Sequence, residues 1–116
     1  MLLNKDQILS SDDLVFKDVE VEAWGGTVRI RCLTGEERDA FEQSIVDSKG
    51  KARNMKNIRA RFLSMSIVGE DGNRLFSDAE VEGLGKKSGK AIDKLFDVAQ
   101  KLSGLTDDDV EEMAGN

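Results

Sequence analysis

Two adjacent glycines, Gly25-Gly26, sit inside an alternating stretch over residues 18–32, and no other segment limits the fold as tightly. A Gly-Gly pair supplies the positive φ that a two-residue hairpin turn needs. A turn placed there sets Trp24 against Thr27, Ala23 against Val28 and Glu22 against Arg29. The ladder continues with Val21 opposite Ile30, Glu20 opposite Arg31 and Val19 opposite Cys32. One face then holds Val19, Val21, Ala23, Val28, Ile30 and Cys32. The other holds two opposite-charge pairs, each worth about 0.2–1 kcal/mol. A slip of one residue would scramble both faces, so the pattern predicts an antiparallel hairpin in this register.

Helix signals fill the rest of the chain. Thr34 with Glu37 forms a capping box, because each side chain can reach the other's backbone N–H. The helix it opens carries Ala40, Phe41 and Ile45 on one face and is expected to end within residues 48–51. A second helix is predicted over residues 54–67, with Met55, Ile58, Phe62 and Met65 at helical spacing and Leu63 and Ile67 widening the stripe. Glu70-Asp71-Gly72-Asn73 reads as a turn, followed by a short extended run at Arg74, Leu75 and Phe76. Ser77 and Glu80 make a second capping box before a short helix with Val81 and Leu84, which Gly83 and Gly85 end.

A longer helix from Ser88 places Ile92, Leu95, Phe96, Ala99 and Leu102 on one face, expected to pack on Ile58 and Phe62. Gly104 supplies a positive-φ stop with Leu105 folding back. Thr106 then caps a last helix opened by Asp107, Asp108 and Asp109, with Val110 and Met113 as its apolar contacts. The expected fold class is α+β: an N-terminal antiparallel β-hairpin followed by four to five short helices. A single domain over residues 1–116 is expected, with frayed ends at residues 1–7 and 113–116.

Composition narrows the function. A chain of 116 residues buries about two-thirds of its unfolded surface, enough for one core without staples. One cysteine excludes an internal disulfide, and the absence of histidine removes the commonest general base and metal ligand together. No long apolar run and no leader pattern is present, which predicts a soluble cytosolic protein with no membrane partner. The net charge of −6 opposes nucleic-acid binding. It is unevenly spread: residues 1–50 hold 11 acids and 6 bases, residues 51–76 hold 2 and 6, and residues 77–116 hold 10 and 5. The middle is therefore basic between acidic flanks, and charge-driven self-association into a homo-oligomer is expected.

Three motifs that suggest chemistry do not survive inspection. Gly85-Lys86-Lys87-Ser88-Gly89-Lys90 lacks the spacing of a phosphate loop and follows a helix rather than a strand. Asp107, Asp108, Asp109, Glu111 and Glu112 lack the alternation and glycine bend of a calcium loop and read as a helix start. Cys32 falls on the apolar face and reads as core. No catalytic, cofactor or metal site is expected, and the chain is not read as an enzyme. The candidate partner-binding residues are Trp24 and the basic run Lys51, Arg53, Lys56, Arg59 and Arg61. Trp24, beside the turn, either covers neighbouring side chains or forms a contact hot spot.

Four segments in order carry a resemblance. They are Trp24-Gly25-Gly26-Thr27-Val28-Arg29, Leu33-Thr34-Gly35-Glu36-Glu37-Arg38-Asp39-Ala40-Phe41-Glu42, Glu70-Asp71-Gly72-Asn73-Arg74-Leu75-Phe76 and Leu102-Ser103-Gly104-Leu105-Thr106. Their order and spacing resemble the small tail assembly chaperones of long-tailed bacteriophages and prophages, over residues 13–112. Ala23 stands where that family often carries a proline. The resemblance implies a protein of the bacterial host cytoplasm that binds the tape measure protein before the tail tube polymerises. It implies that such a protein keeps apolar stretches of the client soluble, helps recruit tail tube protein and is absent from the finished virion. The competing expectation is a small structural subunit of the tail, retained in the virion.

Overall fold

The computed structural model describes residues 1–46 and 54–105. Its order is α1 (Lys5–Ser10), β1 (Phe16–Val21), a 3₁₀ turn (Glu22–Trp24), β2 (Gly26–Arg31), α2 (Gly35–Ile45), α3 (Ile58–Ser66), β3 (Ile67–Val68), a second 3₁₀ turn (Asp78–Glu80), α4 (Val81–Gly85) and α5 (Gly89–Leu102). The strands form one antiparallel sheet in the order β1-β2-β3. The α+β class holds, with four described helices after the hairpin and one before it. The predicted helix from Thr106, with Val110 and Met113, lies outside the described residues.

The hairpin register differs from the expected one. Val19 faces Val28, Val21 faces Gly26, Glu20 faces Thr27 and Asp18 faces Arg29. The connection is four residues long, because Gly25 alone takes the left-handed conformation (φ 71°) while Gly26 already belongs to β2. The partner strand is displaced by four positions, an even number, so the faces survive although every pair changes. Val19, Val21, Ile30 and Cys32 are buried as expected. Ala23, expected among them, lies in the loop and is exposed. Neither Glu22–Arg29 nor Glu20–Arg31 forms: Arg29 pairs with Asp18 and Arg31 with Glu37.

The helix caps follow the sequence. The Thr34 hydroxyl accepts from the Glu37 N–H at 3.0 Å, and the Glu37 carboxylate accepts from the Thr34 N–H at 2.9 Å. Glu80 accepts from both the N–H and the hydroxyl of Ser77, at 2.9 and 3.1 Å. Ser88 caps α5 through the Ala91 N–H at 3.1 Å. At its far end Gly104 (φ 72°) turns the chain. The N–H of Leu105 then reaches the Gln100 carbonyl at 2.8 Å and that of Gly104 the Lys101 carbonyl at 3.1 Å. This paired arrangement satisfies the last carbonyls and buries Leu105.

Helix α3 is the centre of the molecule. Ala60, Phe62, Leu63, Ser64, Met65 and Ser66 are all buried, which exceeds a one-sided stripe. Phe62 meets Phe41 of α2 edge-on at 5.0 Å and Phe96 of α5 edge-on at 5.4 Å. The expected packing of Ile92, Leu95, Phe96 and Ala99 against α3 is therefore present. α5 also covers the inner face of β1 and β2. Three details are corrected. Ala40 and Met55 are exposed, and Ile67 is not helical but starts β3, opposite Ile30. α2 ends at Ile45, with the extended Val46 as its C-cap, short of the end expected within residues 48–51.

Candidate functional site

The outer face of the hairpin and the chain after β3 enclose an apolar furrow. Arg74 bridges to Val68, and the Leu75 N–H donates to the Ile67 carbonyl at 3.1 Å. This extended run, which the sequence predicts, carries Phe76 to the neighbourhood of Trp24. Both rings are half-buried and both border two adjoining depressions. One, of about 480 Å³, is lined by Val28, Val68 and Leu75 and by the Asp18–Arg29 pair. The other, of about 440 Å³, is lined by Ala79, Leu84 and Lys87. Trp24 thus packs against the core cluster and also forms part of an open surface, so both of its expected roles are compatible with one position.

The polar end of the furrow is fixed by charge. Arg29 donates from Nε and Nη2 to the two carboxylate oxygens of Asp18, at 2.8 and 3.1 Å. That hydrogen bond holds the Asp18 carboxyl below its ordinary value and raises Arg29 above its own. The Arg29 guanidinium also lies over the Phe16 ring at 4.2 Å, a stacking that favours a planar cation.

The basic run does not make a single cationic patch among the described residues. Lys56 Nζ lies 3.9 Å from Glu82, and Arg59 Nε 3.2 Å from Asp93. Arg61 turns inward, donating to the Ser44 carbonyl at 2.8 Å, its hydroxyl at 2.9 Å and the Asn54 carbonyl. Burial lowers the Arg61 pKa. Lys51 and Arg53 lie outside the described residues. Of the six candidates, Trp24 stands at the furrow, while Lys56 and Arg59 keep exposed heads on another surface.

A further apolar surface escaped the sequence reading. Among the described residues, eight of the ten exposed large hydrophobic ones lie in residues 1–16, including Leu2, Leu3, Ile8 and Leu9. They surround α1, which buries none of its own residues. Its signal is the capping box of Asn4 and Gln7, whose side chains and N–H groups bond reciprocally at 2.8 and 2.9 Å. Among the described residues, no helix is long and apolar enough to cross a membrane. Among the described residues, no group of three or more His, Cys, Asp or Glu is placed to hold a metal ion.

No curated protein matches the sequence significantly. The fold is similar to a solved structure described as "Structure of bacteriophage HK97 tail assembly chaperone", with 22% identity and a TM-score of 0.61. That likeness covers 84% of this chain and 94% of the other, and at this identity it concerns the fold alone. A family described as "Phage tail assembly chaperone" matches in sequence over residues 4–116. The match takes in the hairpin, the furrow and every helix described above, and the chain belongs to the phage tail assembly chaperone family.

Proposed function

We propose that the protein binds the phage tape measure protein before the tail tube polymerises around it. It keeps apolar helical stretches of that client in solution and helps to recruit tail tube protein, acting in the host cytoplasm without catalysis. The observation that carries this reading is family membership across residues 4–116. The Trp24–Phe76 furrow supports it, because an open apolar channel suits one face of an amphipathic helix. Trp24 is the proposed anchor. Lys56 and Arg59, whose heads stay exposed, together with Lys51 and Arg53 supply a second, electrostatic contact to acidic parts of a partner, while Arg61 is held by Ser44 and Asn54.

Co-expression with the tape measure protein of the same phage tests this. The client should move into the soluble fraction with this chain and remain insoluble without it. A client equally insoluble in both cases overturns the proposal. Mass spectrometry of purified virions separates it from a structural subunit, since a stoichiometric amount in the particle favours the latter.

A further inference from the structure

The sheet has one edge that nothing closes among the described residues. On the β3 side, Arg74 bridges to Val68 and the Leu75 N–H donates to the Ile67 carbonyl, so that edge is covered. On the β1 side, the ladder itself shows which groups face outward. The Cys32 N–H donates to the Val15 carbonyl at 2.9 Å, and in an antiparallel pair every second residue turns its backbone groups to the partner. Lys17, Val19 and Val21 therefore bond to β2, opposite Ile30, Val28 and Gly26. Phe16, Asp18 and Glu20 turn theirs away from the sheet. Lys94 of α5 agrees with this parity, because its Nζ reaches the Glu20 carbonyl at 2.7 Å. A lysine at an edge strand discourages pairing, but this one guards Glu20 alone. From Leu14 to Asp18 the edge is bare, and Leu14, Val15 and Phe16 are exposed.

Charge selects the occupant. Lys17 and Glu20 are exposed and make no ion pair among the described residues. They lie on opposite faces of the strand. Glu20 shares its face with Phe16 and with Asp18, whose charge Arg29 already balances. A second copy of β1 fits poorly. In the antiparallel sense it sets Asp18 against Asp18, Lys17 against Lys17 or Glu20 against Asp12, according to register. Like charges directly opposite each other are destabilising. The arm of the same chain is held in α1 by the Asn4–Gln7 capping box. A strand from another protein meets neither obstacle.

We propose that β1 accepts an extended segment of a partner protein as a further antiparallel strand of the sheet. The matching segment carries a lysine or arginine opposite Glu20, an acid opposite Lys17 and apolar side chains opposite Phe16 and Leu14. Its sequence reads base-x-x-acid-apolar-x-apolar. The outward N–H and carbonyl groups of Phe16 and Asp18 bond its main chain. This docking is separate from the furrow and from the tape measure reading, so either can fail alone.

A capped peptide of sequence lysine-threonine-threonine-glutamate-valine-threonine-leucine, titrated into the full chain, tests the edge. Binding is read by calorimetry and by amide hydrogen exchange. The peptide should slow exchange at the Phe16 and Asp18 N–H groups and leave Lys17 and Val19, already bonded in the ladder, unchanged. Exchanging its lysine and glutamate should weaken binding about ten-fold. Phe16→Pro removes one outward N–H while the ladder to β2 keeps its bonds. It should bind about five-fold more weakly than Phe16→Ala, which keeps that N–H.

No saturable binding, or equal affinity for the two peptides, overturns the proposal. A shift of Trp24 emission on binding also overturns it, by seating the peptide in the furrow. So does protection of Phe16 and Asp18 in the peptide-free chain. That result favours a second copy where protection rises with protein concentration, and the chain's own arm where it does not.

Discussion

Arg31 of β2 bonds to Glu37 in the first turn of α2, Nη2 to Oε1 at 2.5 Å, and not to Glu20 on the strand beside it. The same guanidinium donates to the Met65 and Gly72 carbonyls, each at 3.3 Å. One side chain therefore ties the hairpin to α2, to the end of α3 and to the turn before Arg74. Glu37 in turn caps its own helix through the Thr34 N–H. Both side chains are largely shielded, at 14% and 19% exposure.

Glu37→Ala should therefore cost about 1.5–3 kcal/mol, the range for a lost hydrogen bond to a charged group, with Arg31 left short of a partner. Glu20→Ala, at an exposed position opposite Thr27, should stay within about 0.5 kcal/mol. Urea unfolding of the two variants checks the contrast. Equal losses would mean that Arg31 has no preferred partner.

Phe62 joins two edge-on ring contacts and has no exposure, while Phe96 makes one and is 8% exposed. Truncation of Phe96 to Ala should cost about 3–5 kcal/mol. Phe62→Ala should cost at least as much, because its cavity opens between α2, α3 and α5. A midpoint unchanged within error for either variant would contradict burial at the centre of the core.

Much of this architecture is legible in the sequence because it is local. Thr34 with Glu37, Ser77 with Glu80 and Gly104 with Leu105 each act across a few residues, and each forms as its pattern predicts. The α5 stripe is equally plain. The hairpin register is not, since a displacement of four leaves the same faces inward, and Gly25-Gly26 fits either loop. Selection falls to long-range bonds: Asp18 captures Arg29, and Glu37 captures Arg31. β3 is hidden because Ile67 continues a helical stripe, and its pairing with Ile30 depends on tertiary contact. Of the site, Trp24 was visible, but Phe76 becomes its neighbour only once Arg74 bridges to Val68.

Acid should weaken the fold in a defined window. The Arg29 hydrogen bond lowers the folded-state pKa of Asp18, and bonds from Ser77 lower that of Glu80. A carboxylate depressed in this way contributes stability that is fully present above its unfolded value, at about pH 4–4.5. It is lost as pH falls through the lower folded value. Asp18→Asn and Glu80→Gln should each flatten the decline of stability below pH 4.5. An unaltered slope in both variants would contradict these bonds.

Charge-driven self-association, expected from the basic middle between acidic flanks, should weaken with added salt. Screening removes the attraction of exposed cations such as Lys56 and Arg59 for the acidic segments of another copy. Light scattering across a salt series reports this directly. An oligomer indifferent to salt would make apolar faces, and not charge, the driving contact.

The protein contains one tryptophan, and Trp24 stands on the furrow, half-buried and bordering both depressions. Its emission therefore reports client docking without any label. Titration with an amphipathic helical segment of the tape measure protein should shift the emission to shorter wavelength, saturating together with binding measured by calorimetry. Calorimetric binding with unchanged Trp24 emission would place the client on another surface, and no binding in either measurement would contradict the proposed chaperone role.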